Sequence, residues 1–170
     1  MVRFLHLADL HLGWEPTDSE LGQKRRLERD ERLARAVDFA LERGVDAVII
    51  AGDLFETHRP EPGLVRRALR ELERLSAAGI ACVTVPGNHD EISYHDSVYK
   101  ECAARWPGVL VTRPDFGLAA ELELAGGRLY VYGLAYTGGV TPTERPLASF
   151  PRSGAEGYHV AVLHGSLELH

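Results

Sequence analysis

Parallel strands alternating with helices, with further β structure added behind them, is the α/β architecture this chain leads one to expect. Three observations carry it. Short apolar runs, at 45–51 and 80–85, are separated by stretches with apolar residues at helical spacing, the pattern of β-α-β crossovers. Gly44 and Gly79 stand where those helices should stop. After Pro107-Gly108 helical periodicity gives way to alternating, strand-like segments.

The elements follow in order. Residues 2–8 read as a buried strand with Phe4, Leu5 and Leu7 in the core, ended by the polar turn Asp9-Leu10-His11. Leu27, Leu33, Ala34, Val37, Phe39, Ala40 and Leu41 recur near helical spacing and predict one helix over 24–43. The run 45–51 is a second buried strand, and Pro60, Pro62 and Gly63 lead into a helix over 64–78. A third strand, 80–85, ends at Pro86-Gly87, and a weaker helix spans 97–106. Strands are then expected at 109–112, 118–124, 128–136 and 158–163, with Gly126-Gly127 as a hairpin signal. Residues 137–157, rich in Gly, Pro, Thr and Ser, are the one long loop.

A length of 170 residues argues for a single domain, 1–170, with a core large enough to fold without disulfides. Apolar residues at 45% and charged residues at 26% are the balance of a soluble globular protein. Cys82 and Cys102 share no metal-type spacing and are too few for a disulfide framework, so a reducing cytoplasm fits best. The apolar runs fall short of the roughly 18 residues of a membrane span. The 19 basic and 25 acidic residues leave a net charge of −6, which by itself gives no support to nucleic-acid binding.

Chemistry-bearing residues gather at strand ends. The first strand gives Asp9 and His11, the second Gly52-Asp53, the third Gly87-Asn88-His89-Asp90 and the last His164-Gly165. Ligands of open α/β sheets collect outside the carboxyl ends of the strands, so neighbouring strands would bring the four clusters into one cleft. Carboxylates, imidazoles and one amide oxygen suit Mn²⁺, Fe²⁺ or Zn²⁺ rather than a thiolate zinc or an all-oxygen calcium site. Asp53, central among them, could bridge two ions, and two cations about 3.5–4 Å apart suit phosphoester hydrolysis.

Asp9-Leu10-His11, Gly52-Asp53, Gly87-Asn88-His89-Asp90 and His164-Gly165 match, in order, the first four motifs of the calcineurin-like metallophosphoesterases. The flanking segments Phe4-Leu5-His6-Leu7-Ala8-Asp9-Leu10-His11-Leu12-Gly13 and Gly52-Asp53-Leu54-Phe55 resemble the SbcD-type DNA-repair exonucleases. The resemblance implies a four-layer α-β-β-α sandwich of two mixed sheets flanked by helices. It implies two divalent metal ions, Mn²⁺ ahead of Fe²⁺, Zn²⁺ or Mg²⁺, with Asp9 and His11 on the first, Asn88 and His164 on the second, and Asp53 between them. His89 would protonate the leaving oxygen, and Asp90 would orient His89. DNA would be hydrolysed by a hydroxide activated between two metals. An SbcC-type SMC-like ATPase would be the partner, with a homodimer as a further option and no membrane. The family's fifth motif, Gly-His-x-His, does not occur in this sequence, so the expected domain is incomplete at its C-terminus and each metal is short of one imidazole. Two other readings stand beside this one: a phosphatase or small-molecule phosphodiesterase of the same superfamily, and an inactive binding module.

Other candidates read as structural. The arginines of 24–35 and 66–74 are interleaved with acids, the signature of a salt-bridged solvent face. His6 alternates with strand residues, His58 reads as a loop histidine, His95 and His159 lack motif support, and His170 is a chain end. Tyr130 and Tyr132 mark one face of a strand, and Cys82 a small buried hydrophobe.

Overall fold

The computed structural model describes residues 1–15, 20–138 and 154–165. Its elements are β1 (Phe4–Leu7), α1 (Glu20–Asp30), α2 (Arg32–Arg43), β2 (Ala47–Ala51), α3 (Pro62–Ala77), β3 (Ala81–Val85), α4 (Val98–Cys102) with a following 3₁₀ turn (Ala103–Arg105), β4 (Val109–Leu110), β5 (Gly117–Leu124), β6 (Gly127–Gly133) and β7 (Tyr158–Val162). Strands β1 to β4 form one sheet in sequence order, and β5, β6 and β7 form a second. Among the described residues the first sheet is parallel throughout; only the second is mixed, with β5 antiparallel and β7 parallel to β6.

Why β2 is apolar along its whole length is plain from the packing: every residue of Ala47–Ala51 is buried. Leu33, Val37 and Ala40 of α2 and Leu64, Ala68, Leu72 and Leu75 of α3 pack with it in one core, together with Leu129, Val131 and Val162 of the second sheet. A strand covered on both faces cannot alternate. Gly44 adopts φ 55° at the end of α2, the left-handed cap its position predicts. The helix expected over 64–78 begins earlier, at Pro62, because the Glu61 side chain accepts from the Leu64 N–H (3.0 Å) and proline is tolerated in the first turn.

Four expectations change. The single helix over 24–43 is two, broken at Glu31, where Asp30 turns aside to accept from the Gly13 N–H (3.0 Å) and to pair with Arg67 (3.3 Å). Phe4 is not core: among the described residues β1 pairs only with β2, and its outward face leaves Phe4 43% exposed and His6 exposed, while Leu5 and Leu7 are half-buried against the core. The strand expected over 128–136 stops at Gly133, because Ala135 N–H donates to Arg113 (2.7 Å) and Tyr136 N–H to Pro86 (3.3 Å), outside the sheet. The hairpin turn is Ala125-Gly126, with Gly127 already paired to Leu124. The long loop expected at 137–157 lies mostly outside the described residues. Among the described residues no helix is long and apolar enough to cross a membrane.

Candidate metal centre

The parallel register sets the site. Leu7 pairs with Ile50 and Ala51 with Val85, so β1, β2 and β3 end side by side. Beyond them the loops stay zipped: Asp9 N–H donates to Gly52 (3.2 Å), His11 N–H to Asp53 (2.9 Å), Leu12 N–H to Leu54 (2.9 Å) and Glu56 N–H to Leu12 (3.0 Å). Within this ladder Asp9 (φ 55°), His11 (φ 48°) and Asp53 (φ 51°) are left-handed, the only such non-glycine residues described. That conformation is costly and persists where surrounding structure fixes it, commonly at functional sites. Here it turns three polar side chains towards one point.

Asp53 occupies that point and is only 2% exposed. Its Oδ1 accepts the His89 N–H at 2.9 Å, while Oδ2 lies 3.7 Å from His11 Nε2 and 3.4 Å from His164 Nε2. Asp9 Oδ1 is 3.9 Å from His11 Nε2, and Asn88 Oδ1 is 2.9 Å from His164 Nε2. Two glycines make the approach possible. A Cβ on Gly52 would overlap the His164 ring, and one on Gly87 would overlap Asp53.

Two of the imidazoles, His164 and His89, are held by their other nitrogens. His164 Nδ1 faces the Ala51 carbonyl (3.0 Å), which can only accept, so Nδ1 carries a proton and Nε2 points into the site. His11 Nδ1 lies 2.9 Å from Glu56 Oε2, an ion-pair approach without the alignment of a hydrogen bond. His89 Nδ1 faces the Glu56 carbonyl oxygen at 3.1 Å, and its ring stands edge-on to His11 with centroids 4.6 Å apart. Glu56 belongs to none of the strand-end clusters, and the one signal for it in the sequence is an acid three residues after Asp53.

The residues expected at the site are thus brought together, with two differences from the expected grouping. First, ligand atoms within 4.8 Å of one another fall into two groups that share Asp53: His11, Asp53 and His89, and Asp9, Asp53 and His164. Asp9 therefore stands with His164 as well as near His11, and His89 offers a nitrogen beside His11. Second, Asp90 does not orient His89. It is fully buried, with Oδ1 accepting from the Gly87 N–H (2.7 Å) and Oδ2 from the Phe55 N–H (3.0 Å) and the Tyr99 hydroxyl (2.7 Å). These three donors tie the β2 and β3 loops together, and the Glu56 carbonyl takes the orienting role expected of Asp90. His58 stacks on Tyr94 (4.0 Å) and faces Asp96 (3.7 Å), away from this cluster.

Charge follows the geometry. The hydrogen bond to Asp53 carries the His164 pKa up to about 9 against the opposing effect of desolvation. Burial pulls Asp53 upward, but His164 and the His89 N–H outweigh it and leave Asp53 below its ordinary value. Burial, joined by the nearby charge of Asp53, drives Asp90 upward, and its three donors only moderate this. Burial also pushes the Cys82 thiol up to about 12, which makes it inert filling in β3. The arginines read as a solvent face do pair with acids: Arg35 with Glu31 (2.9 Å), and Arg74 with Asp38 (2.6 Å) and Glu71 (2.5 Å).

Strand ends bring carboxylates and imidazoles into one cleft, a donor set suited to divalent metals, and the sequence comparison supplies the class. The family model for calcineurin-like phosphoesterases matches residues 2–165, and the chain belongs to that family, whose members use divalent metals. Within it, the chain is similar to DNA double-strand break repair proteins Mre11: 39% identical over 90 residues to that of Haloferax volcanii (53% of this chain, 20% of the relative). It is 34% identical over 99 residues to that of Archaeoglobus fulgidus (58% and 21%). The chain thus spans about a fifth of the length of these relatives. Among solved structures, the nuclease MPE of Pseudomonas putida is similar with a TM-score of 0.45 and 23% identity, over 66% of this chain and 48% of that one. A dimetal phosphatase from Danio rerio is similar with a TM-score of 0.45 and 16% identity, over 78% and 43%.

Proposed function

We propose that this chain carries the catalytic centre of a metal-dependent DNA phosphodiesterase, a nuclease of the double-strand-break repair type. The observation that carries the metal chemistry is Asp53 Oδ2 lying between two imidazole Nε2 atoms, at 3.7 Å from His11 and 3.4 Å from His164, the latter with its Nδ1 anchored on the Ala51 carbonyl. Similarity to the Mre11 proteins supports DNA as the substrate.

Asp9, His11 and Asp53 would hold one cation, and Asp53, Asn88 and His164 the other, with Mn²⁺ preferred. The donor set fits: carboxylates, imidazoles and an amide oxygen converge, and two glycines leave room that a Cβ would fill. When bound, such a pair polarises phosphoryl oxygens and brings a water towards ionisation near neutral pH. The chain's own residues do the rest. Asp53 faces both ligand sets, and Glu56 sets its carboxylate against His11 and holds His89 through its carbonyl. Because the carbonyl holds the His89 Nδ1 proton, Nε2 is the atom that gains and loses the second one. It is placed to protonate a leaving alkoxide, a task worth roughly a hundred-fold or more. The net charge of −6 does not oppose this, since four positive charges of two bound cations would dominate the field at the scissile phosphate. An SMC-like ATPase partner and a homodimer belong to the same proposal.

The test is hydrolysis with Mn²⁺ of single- and double-stranded oligonucleotides, of cyclic nucleotides and of p-nitrophenyl phosphate. Cleavage of DNA, abolished by Asp53→Asn, is expected. Turnover of the monoester or cyclic nucleotides with none of DNA would move the assignment to a phosphatase or small-molecule phosphodiesterase.

A further inference from the structure

Beside the metal centre lies a second cavity, of about 460 Å³, lined in part by Leu12, Trp14, Glu56, Arg59 and Pro60. It shares Glu56 with the ligand cluster, where that carboxylate faces His11. Trp14 comes three residues after His11, and its backbone N–H donates to the His11 carbonyl (3.2 Å), so the turn bearing the indole is tied to a metal ligand.

The lining has a particular chemistry. The Arg29 guanidinium stacks on the Trp14 ring at 4.4 Å, which braces the indole from outside the cavity. Pro60 and the buried Leu12 and Leu64 supply apolar surface. Two of the acids in the wall are already committed: Asp30 to the Gly13 N–H and Arg67, and Glu61 to capping α3 through the Leu64 N–H. Arg67 is paired in the same way, and Arg59 pairs with Asp96 at 3.3 Å. The wall holds four acids, Glu15, Asp30, Glu56 and Glu61, against two arginines, Arg59 and Arg67, an excess of negative charge that turns a free anion away. A braced aromatic plane, apolar walls and hydrogen-bonding rims suit a flat, neutral heterocycle, and the volume lies in the range of small-ligand pockets.

We propose that this cavity is a nucleobase subsite, which takes the unpaired base of a nucleotide flanking the scissile phosphodiester and stacks it on Trp14. The proposal deepens the DNA reading and rests on it, yet base binding is measurable without catalysis. The other tryptophan, Trp106, is buried and donates to Thr84 Oγ1 (3.2 Å), so Trp14 is the indole open to a ligand.

The experiment is a fluorescence titration of the metal-free chain with deoxyadenosine and thymidine 5′-monophosphates, against deoxyribose 5-phosphate and inorganic phosphate. Saturable quenching by the two nucleotides alone is expected. Calorimetry should show their affinity reduced roughly ten- to a hundred-fold in Trp14→Leu, the scale of one lost base stack, and largely kept in Trp14→Phe. With Mn²⁺, the kcat/KM preference for thymidine 5′-(p-nitrophenyl phosphate) over methyl p-nitrophenyl phosphate should collapse towards one in Trp14→Leu, chiefly through KM. Equal quenching by deoxyribose phosphate, or nucleotide affinity unchanged in Trp14→Leu, overturns the subsite. Diester hydrolysis with no base preference overturns it while sparing the metal centre. Nucleotide binding through Trp14 without any diester hydrolysis supports the subsite and removes the DNA reading instead.

Discussion

Tyr99→Phe isolates the role assigned to Asp90. Tyr99 is fully buried in α4, and its hydroxyl donates to Asp90 Oδ2 at 2.7 Å. Phenylalanine fills the same space, so the change removes a hydrogen bond without opening a cavity. A hydrogen bond to a charged partner is worth about 1.5–3 kcal/mol. At about 2–4 °C per kcal/mol for a chain of this size, melting should fall by roughly 3–12 °C. The pH dependence has a definite sign. Burial raises the folded pKa of Asp90 above its unfolded value, so the stability linked to its neutral form is full at acid pH and is lost as pH rises through the folded value. Removing the Tyr99 donor raises that value further, so the deficit should grow with pH and narrow towards pH 4. Thermal unfolding by circular dichroism at several pH values measures both. Mn²⁺ stoichiometry should not change, because Asp90 bonds to the Gly87 and Phe55 N–H groups and to Tyr99, and to none of the side chains that would hold metal. An unchanged melting temperature, accompanied by loss of turnover as deep as that of His89→Gln, would refute this and restore Asp90 as the orienting group.

Three further outcomes follow from the site. In the metal-free protein the His164 ring should titrate near 9 by NMR, because Asp53 stabilises its protonated form; that stability is full below about 6.5 and lost as pH rises through 9. Asp53→Asn should return it towards 6.5, and a wild-type value already near 6.5 would remove the ion pair. Gly52→Ala, at φ 88° and against the His164 ring, should cost about 1–3 kcal/mol and weaken Mn²⁺ binding, whereas Gly44→Ala, with open space around it, should cost about 1–2 kcal/mol and leave the metals alone. Calorimetric Mn²⁺ titrations would separate the two, and equal metal affinity in both would refute the glycine's role. His89→Gln should slow DNA cleavage roughly a hundred-fold but slow nitrophenyl diesters much less, since a good leaving group needs no proton; equal losses would exclude an acid role.

The site was legible in the sequence because each ligand follows directly on a strand, and strand ends converge once the sheet is parallel. Asp9, His11, Asp53, Asn88 and His89 meet for that reason, whereas His164 arrives from the end of β7 in the second sheet, whose packing on the first is not written in any local pattern. Glu56 was not legible, because it reaches His11 only through the pairing of Leu12 with Phe55, a bridge formed beyond the strands. Asp90 sits in the motif and looked catalytic, but its partner Tyr99 comes from a helix nine residues later and turns the carboxylate inward. Phe4 read as core from the alternation of its strand; sheet order, which among the described residues leaves β1 paired on one side only, is absent from the local pattern. The break at Glu31 likewise depends on Asp30 reaching Gly13, a contact 17 residues away in sequence.

The claim on which the rest depends is that Asp53 stands between two cations. Electron paramagnetic resonance of the chain titrated with Mn²⁺ reads this directly, since ions about 3.5–4 Å apart couple through a shared carboxylate. The account predicts a spin-coupled pair in the wild-type chain and its loss in Asp53→Asn. Isolated-ion spectra from both, at any Mn²⁺ concentration that saturates binding, would contradict it.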